Sequence, residues 1–208
     1  MLLINKKDKI RSYSLRSITK DGGEKQIVWF LSPKDDKGVA FLKIEHDDKD
    51  DEMRMWLPAF KKVRRISSKK RSDSFMGSDM SYEDMTNREL DEYTYKLLRE
   101  ETMEEQNYYV LEIIPNPDLQ TEYSKHIAWI TKDHLLLIKE ESFDNSGNLL
   151  KEKSIEFVKI KDYNILEKIT MKNVRKNHRT ILTFENIELD TGVKNKLFQE
   201  KNLKRLPR

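Results

Sequence analysis

LLLIKEESFDNSGNLLKEKSIEFVKI, residues 135–160, reads as two strands joined by a tight connection. Asn145, Ser146, Gly147 and Asn148 are the residue types that a hairpin turn favours. The pattern continues on both sides. Residues 127–131, 165–172 and 180–187 are further β-rich runs, and residues 174–179 form a polar, basic turn. Together these runs predict a long antiparallel meander.

The upstream half carries the same period. Residues 27–30 follow a Gly22-Gly23 turn and precede Ser32-Pro33. Val39, Phe41 and Lys43 lie on one face of the next strand, and Ala40, Leu42 and Ile44 on the other. Met53, Met55 and Leu57 alternate with Arg54 and Trp56 until Pro58 ends the run. Residues 46–51 (HDDKDD) make an acidic turn between these two strands. Tyr93, Tyr95 and Leu97 alternate, and residues 108–114 complete a second hairpin. A helix over residues 89–103 is the rival reading, but the Tyr-Thr-Tyr core favours a strand. Helix signals are few: Ser81 with Asp84 three residues on is a variant capping box, and residues 193–198 read as a short turn before a C-terminal strand. The expected fold is mainly β, with ten or eleven strands in a large curved sheet or barrel. It is a single domain over residues 1–208.

Hydrophobic and charged residues each make up 37% of the chain, so the core is thin or built from strands with one wet face. The net charge of +3 argues against binding a polyanion through bulk charge. The absence of cysteine removes disulfides, thiolate chemistry and Cys-based zinc sites. No run approaches the ~18 apolar residues of a membrane helix. The chain opens abruptly, in what reads as a strand.

No catalytic constellation stands out. His46, His126, His134 and His178 are scattered, and no pair has helical metal spacing. Ser81, Asp79 and His134 could be imagined as a triad, but no nucleophile elbow surrounds any serine. No phosphate loop or dinucleotide fingerprint is present. The reading is therefore no enzyme, no cofactor and no metal.

Residues 57–85 differ from an ordinary solvated loop, and a loop of this length is functional or disordered. Its basic run comprises Lys61, Lys62, Arg64, Arg65, Lys69, Lys70 and Arg71. Such a run suits solvent, a partner or an anionic membrane surface. Without interleaved aromatics it does not suit nucleic acid. Asp79, Glu83 and Asp84 read as capping groups and as partners for Arg64 or Arg65 rather than as a cation site. The aromatic and methionine set Trp29, Phe41, Met55, Phe75, Met76, Met80, Tyr82, Tyr95, Tyr109 and Trp129 reads either as ordinary core or as the wall of an adaptable apolar cavity.

MWLPAFKKVRRIS (residues 55–67) followed by SFMGSDMSYEDM (residues 74–85) resembles the segment shared by outer membrane lipoprotein-sorting proteins of the LolA-like superfamily. The resemblance continues, in order, through EYTYKLL, YSKHIAWI, FDNSGNLLKEK, ITMKN and the FQEKNLKRL tail. The first thirty residues carry little of it. Met80 stands in place of phenylalanine and Trp56 in place of tyrosine, and both substitutions keep the apolar character.

The resemblance implies an incomplete antiparallel β-barrel wrapped around short helices that act as a lid. It implies a protein of the periplasm, or one anchored at the outer membrane, with an export signal upstream of residue 1. The partners it implies are lipid or lipoprotein acyl chains, an inner-membrane transporter and an anionic membrane surface, with the protein a monomer. Phe75, Met76, Met80 and Tyr82 would face the cavity from the lid. Trp29, Phe41, Tyr95, Tyr109 and Trp129 would line the wall. The alternative is a surface or transporter-accessory interaction module whose barrel is filled by its own side chains.

Overall fold

The computed structural model describes residues 1–46 and 48–207; Asp47 of the acidic turn lies outside the described residues. Fourteen strands, six single-turn 3₁₀ helices and one short α-helix are described. The strands are β1 (Leu2–Ile4), β2 (Ile10–Ser12), β3 (Ser14–Lys20), β4 (Lys25–Ser32), β5 (Ala40–Ile44), β6 (Glu52–Leu57) and β7 (Lys62–Ile66), then β8 (Tyr93–Met103), β9 (Gln106–Pro115), β10 (Tyr123–Thr131), β11 (Leu137–Asp144), β12 (Leu149–Ile160), β13 (Tyr163–Asn173) and β14 (His178–Thr183). The α-helix is α1 (Glu200–Leu203). The expected meander is present: β8 to β14 pair as consecutive neighbours, and β1 and β2 extend the same sheet beyond β14. Strands β3 to β7 form a second, five-stranded sheet. Every pairing is antiparallel. Neither sheet closes: β2 and β8 are edges of the larger one, and β3 and β7 of the smaller.

The five-stranded sheet is apolar on both faces. Val28, Phe30, Phe41, Met53 and Met55 face inward to a cluster that includes Phe75, Tyr82 and Leu3. Ile27, Trp29, Ala40 and Leu42 face outward and are covered by Phe198 and Leu203. The tail therefore departs from the expected C-terminal strand. Residues 200–203 form one helical turn, because an apolar sheet face needs a cover that a paired edge strand would not supply. Glu200 Oε2 accepts from Arg54 Nη1 at 2.8 Å, and Lys204 lies over the Trp56 ring.

Two further differences come from edge strands. Beyond the expected opening strand β1, residues 1–20 hold two more, β2 and β3, and residues 62–66, expected within a loop, form β7. β2 is exposed throughout and β7 buries only Ile66 fully, so neither shows the clean alternation that betrays a half-buried strand. Lysine and arginine on an edge strand discourage pairing with another chain, and they also erase its hydrophobic signature.

Candidate functional site

Between β7 and β8 the chain runs across the inner faces of the two sheets. Residues 73–82 form a tight hairpin within it. The Phe75 amide donates to the Met80 carbonyl at 2.8 Å, and the Tyr82 amide to the Asp73 carbonyl at 3.1 Å. Met76 and Gly77 both take positive φ, 51° and 75°, to turn the tip. Met76 is the residue under strain there, because a side chain with a Cβ rarely enters that region.

The apolar side of this segment meets the five-stranded sheet. Phe75 packs edge-on against Phe41 (5.2 Å between centroids) and against Tyr82 (5.9 Å). The Tyr82 hydroxyl lies 3.9 Å from Met55 Sδ. Lys43, buried on the same sheet face, donates to Glu45 at 2.7 Å and to the Met85 carbonyl at 2.8 Å. Asn87 closes the arrangement with two hydrogen bonds to the Glu45 carboxylate.

The polar side meets the nine-stranded sheet. Directly opposed residues share a face, so the register traces two rows across it. One row is Tyr95, Ile113, His126, Ser142, Lys151, Asn173 and His178. The next is Leu97, Leu111, Ala128, Glu140, Lys153, Met171, Thr180 and Leu3. Both rows are apolar at the β8–β9 end and charged in the middle.

The segment clips onto that charged middle at three points. At the first, the Asp79 amide donates to Thr180 Oγ1 at 2.8 Å, while its carboxylate accepts from Thr180 and sits 2.7 Å from His178 Nδ1. At the second, Asp84 accepts from the Ser81 amide and hydroxyl, from Tyr123 and from Lys151, all at 2.8–2.9 Å. At the third, Arg88 makes two hydrogen bonds to Glu140, at 2.5 and 3.0 Å, and Lys153 reaches the same carboxylate at 2.7 Å.

The electrostatics follow from this packing. Burial alone would raise the Glu140 carboxyl, but Lys153 and Arg88 outweigh it and hold the group far below the usual carboxylate range. Lys151 and the Ser81 amide likewise overcome burial at Asp84. His126 is buried beside Arg88 and is pushed down to about 3; its Nδ1 lies 2.8 Å from Ser142 Oγ. Burial raises Tyr93 to about 12, and raises Glu83, whose carboxylate accepts from Thr121.

The residues singled out from sequence therefore separate. Phe41, Met55, Phe75 and Tyr82 meet in one cluster, with Met76 packed against it; Met80 is buried but is not part of that cluster. Tyr95 and Tyr109 share the inner face of the large sheet with Leu97, Leu111 and Ile113. Trp29 and Trp129 do not join them. Trp29 is on the outer face of the small sheet against Leu203, and Trp129 packs on Tyr108 and Val110 beneath the Lys139 ammonium. Period 2 decides this: Trp29 neighbours inward Val28 and Phe30, and Trp129 neighbours inward Ala128.

Asp79 and Asp84 pair with His178 and Lys151 rather than with Arg64 or Arg65. The imagined triad is not assembled, since Ser81 serves Asp84 and His134 is exposed beside Asp133. Of the basic run, Lys61, Lys62, Arg64, Arg65, Lys69 and Lys70 are exposed, and Arg71 turns inward to Thr86. Sequence reasoning missed Arg88, Glu140, Lys151 and Lys153. Alternation puts Lys151 and Lys153 on one face of their strand, but a charged face reads as solvent-facing, and Arg88 lies outside any strand. Among the described residues, no helix is long and apolar enough to cross a membrane.

Two open antiparallel sheets with a connecting segment laid across their inner faces define the LolA-like fold. A LolA superfamily protein from Nitrosomonas europaea shares it at a TM-score of 0.75 and 21% identity, over 96% of this chain and 87% of that one. The chain belongs to the outer membrane lipoprotein-sorting protein family. A domain described as an outer membrane lipoprotein-sorting protein, from Vibrio parahaemolyticus, is 32% identical over 98% of this chain and 88% of its own, with a TM-score of 0.88. A DUF1329 family protein from Desulfovibrio piger has the same TM-score at 28% identity, over 97% of this chain and 88% of its own. A family model described as "uncharacterized protein" matches residues 22–205. No curated protein matches the sequence.

Proposed function

We propose that this protein is a non-enzymatic lipid- or lipoprotein-binding protein of outer membrane lipoprotein sorting, acting in the periplasm or anchored at a membrane. The observation that carries the reading is the 32% identity, across 98% of the chain, with the Vibrio lipoprotein-sorting domain. Acyl chains need a wall nearly as apolar as the bilayer, since each CH₂ left in water costs about 0.8 kcal/mol. The inner face at the β8–β9 end supports such a role: Tyr95 and Leu97 there are 40% and 52% exposed, beside Tyr109, Leu111 and Ile113. The 73–82 hairpin is the proposed lid. Phe75, Met76 and Tyr82 then occupy, over Phe41 and Met55, the space that cargo would take when the lid lifts, and buried Met80 belongs to the same hairpin. The basic strand β7 with Lys69 and Lys70 is the proposed surface toward head groups or a transporter.

The filled space beneath the hairpin equally favours a second reading, an interaction module that carries no lipid. Uptake of a fluorescent fatty acid by the wild type and by Tyr95→Asp with Leu97→Asp separates the two. Both positions are exposed, so the variant is expected to fold and to lose uptake at least about tenfold. Equal uptake by the two folded proteins, or no uptake by either, would sink the carrier reading.

A further inference from the structure

We infer that a basic groove at the tip of the lid hairpin binds the phosphate-bearing head groups of an anionic membrane surface. The groove has a volume of about 1030 Å³ and is lined by three chain segments. The β1–β2 turn contributes Lys6, Lys7 and Lys9, and the β13–β14 turn contributes Arg175, Lys176 and, at its end, His178. The third wall is the hairpin tip: Ser74, Gly77, Ser78 and Asp79.

The charge balance in the groove is one-sided. Five permanent cations face a single carboxylate, Asp79, which is buried and already committed to His178 and Thr180. Arg175 is paired with Asp144. Lys6, Lys7, Lys9 and Lys176 are exposed and have no ion-pair partner among the described residues. Asp8 lies on an adjoining smaller cleft rather than in this one. A chain whose net charge is only +3 thus places an excess of positive charge in one concave place. Low-dielectric walls on either side focus such a field.

The backbone that presents these lysines is held in place. Asn5 Oδ1 accepts from the Lys7 and Lys9 amides at 2.9 and 3.2 Å, and Asn173 Oδ1 accepts from the Lys176 amide at 2.9 Å. Ser74 donates to the Ser78 carbonyl across the hairpin tip. Lysine ammonium groups suit phosphate as point charges and do not require the planar fit of a guanidinium pair. The groove is separate from the basic strand β7, which borders the other sheet. Because the hairpin tip forms one wall, a membrane held here meets the lid directly.

The test is vesicle co-sedimentation of the full chain. Wild type is compared with a groove variant (Lys6→Gln, Lys7→Gln, Lys9→Gln, Lys176→Gln) and a strand variant (Lys61→Gln, Lys62→Gln, Arg64→Gln, Arg65→Gln). All eight positions are at the surface, so unchanged melting temperatures are expected. Each basic residue near an anionic leaflet is worth about fivefold in binding. The groove variant should therefore lose affinity for phosphatidylglycerol-containing vesicles by at least about tenfold, and the strand variant by less. Pure phosphatidylcholine vesicles should bind weakly, and inorganic phosphate alone should not raise the melting temperature. Wild-type affinity in the groove variant would overturn the inference. So would a larger loss in the strand variant, or phosphate alone saturating a site while vesicles do not bind. Vesicle binding without fatty-acid uptake would keep this inference and remove the carrier reading.

Discussion

At the centre of the inner face, His126 and Glu140 lie 3.9 Å apart in a site almost closed to water, with Arg88 and Lys153 as the compensating cations. Removing Glu140 or its cations leaves the partner's charge buried, the costly side of an internal ion pair. His126 gives this site a pH signature. Its folded-state value is depressed to about 3, first by burial and then by Arg88, against an ordinary value near 6.5. Below pH 6.5 the unfolded chain therefore takes up a proton that the folded chain refuses. Stability falls with decreasing pH across that window, at about 1.4 kcal/mol per unit, or about 2 kcal/mol between pH 6.5 and 5. Glu140, also held below its ordinary range, has linkage of the same sign in a lower window: its contribution is full above the ordinary carboxylate range and is lost only as pH falls through it, so it adds little to the histidine's signature between pH 6.5 and 5. Urea midpoints at pH 7 and pH 5 should show the loss in wild type and a flatter response in His126→Gln. An unchanged slope would place the titration elsewhere.

Single elements explain where the strand reading of the sequence succeeds. β4 and β5, apolar on both faces, are legible because every residue contributes to one core or the other. β7 is not, because an edge strand carrying Lys62, Arg64 and Arg65 has the composition of a loop. The terminal helix is the converse case. Four residues cannot announce a helix by periodicity, and α1 exists because Leu203 and Phe198 have an apolar face to cover. That dependence is measurable. Leu203 is 1% exposed, and Leu203→Ala should cost about 3 kcal/mol in urea unfolding, through lost burial and the cavity left behind. A change below 1 kcal/mol on that scale would mean that the tail contributes little to the fold.

The whole molecule depends on residues 67–92, which join the two sheets in sequence and wedge between them in space. One side of the wedge is bonded by dispersion to the small sheet and the other by ion pairs to the large one. As the proposed lid, this segment would open as a unit: lifting Phe75 and Tyr82 would also break the Asp79 and Asp84 clips. Local opening of this kind appears in amide exchange at a free energy below that of global unfolding. The Phe75, Ser78 and Tyr82 amides, bonded within the hairpin, should exchange faster than those of β11 to β13 and should lose further protection when a lipopeptide is added. Exchange only through global unfolding, unaffected by lipid, would support the filled-barrel reading instead.

The amino-acid sequence by itself determined the β class, the meander from β9 to β14, the hairpin turn at 145–148 and the family, because these rest on local period and short motifs. Tertiary structure alone decided which charged residues are buried. Lys151, Lys153 and Glu140 look solvated along the chain, and become internal only when Asp84 and Arg88, 52 to 67 residues away, are laid over them. The same holds for the basic groove, whose lysines come from turns at opposite ends of the sequence. Which charges converge is set by strand order and long-range closure, and neither is written in any local pattern.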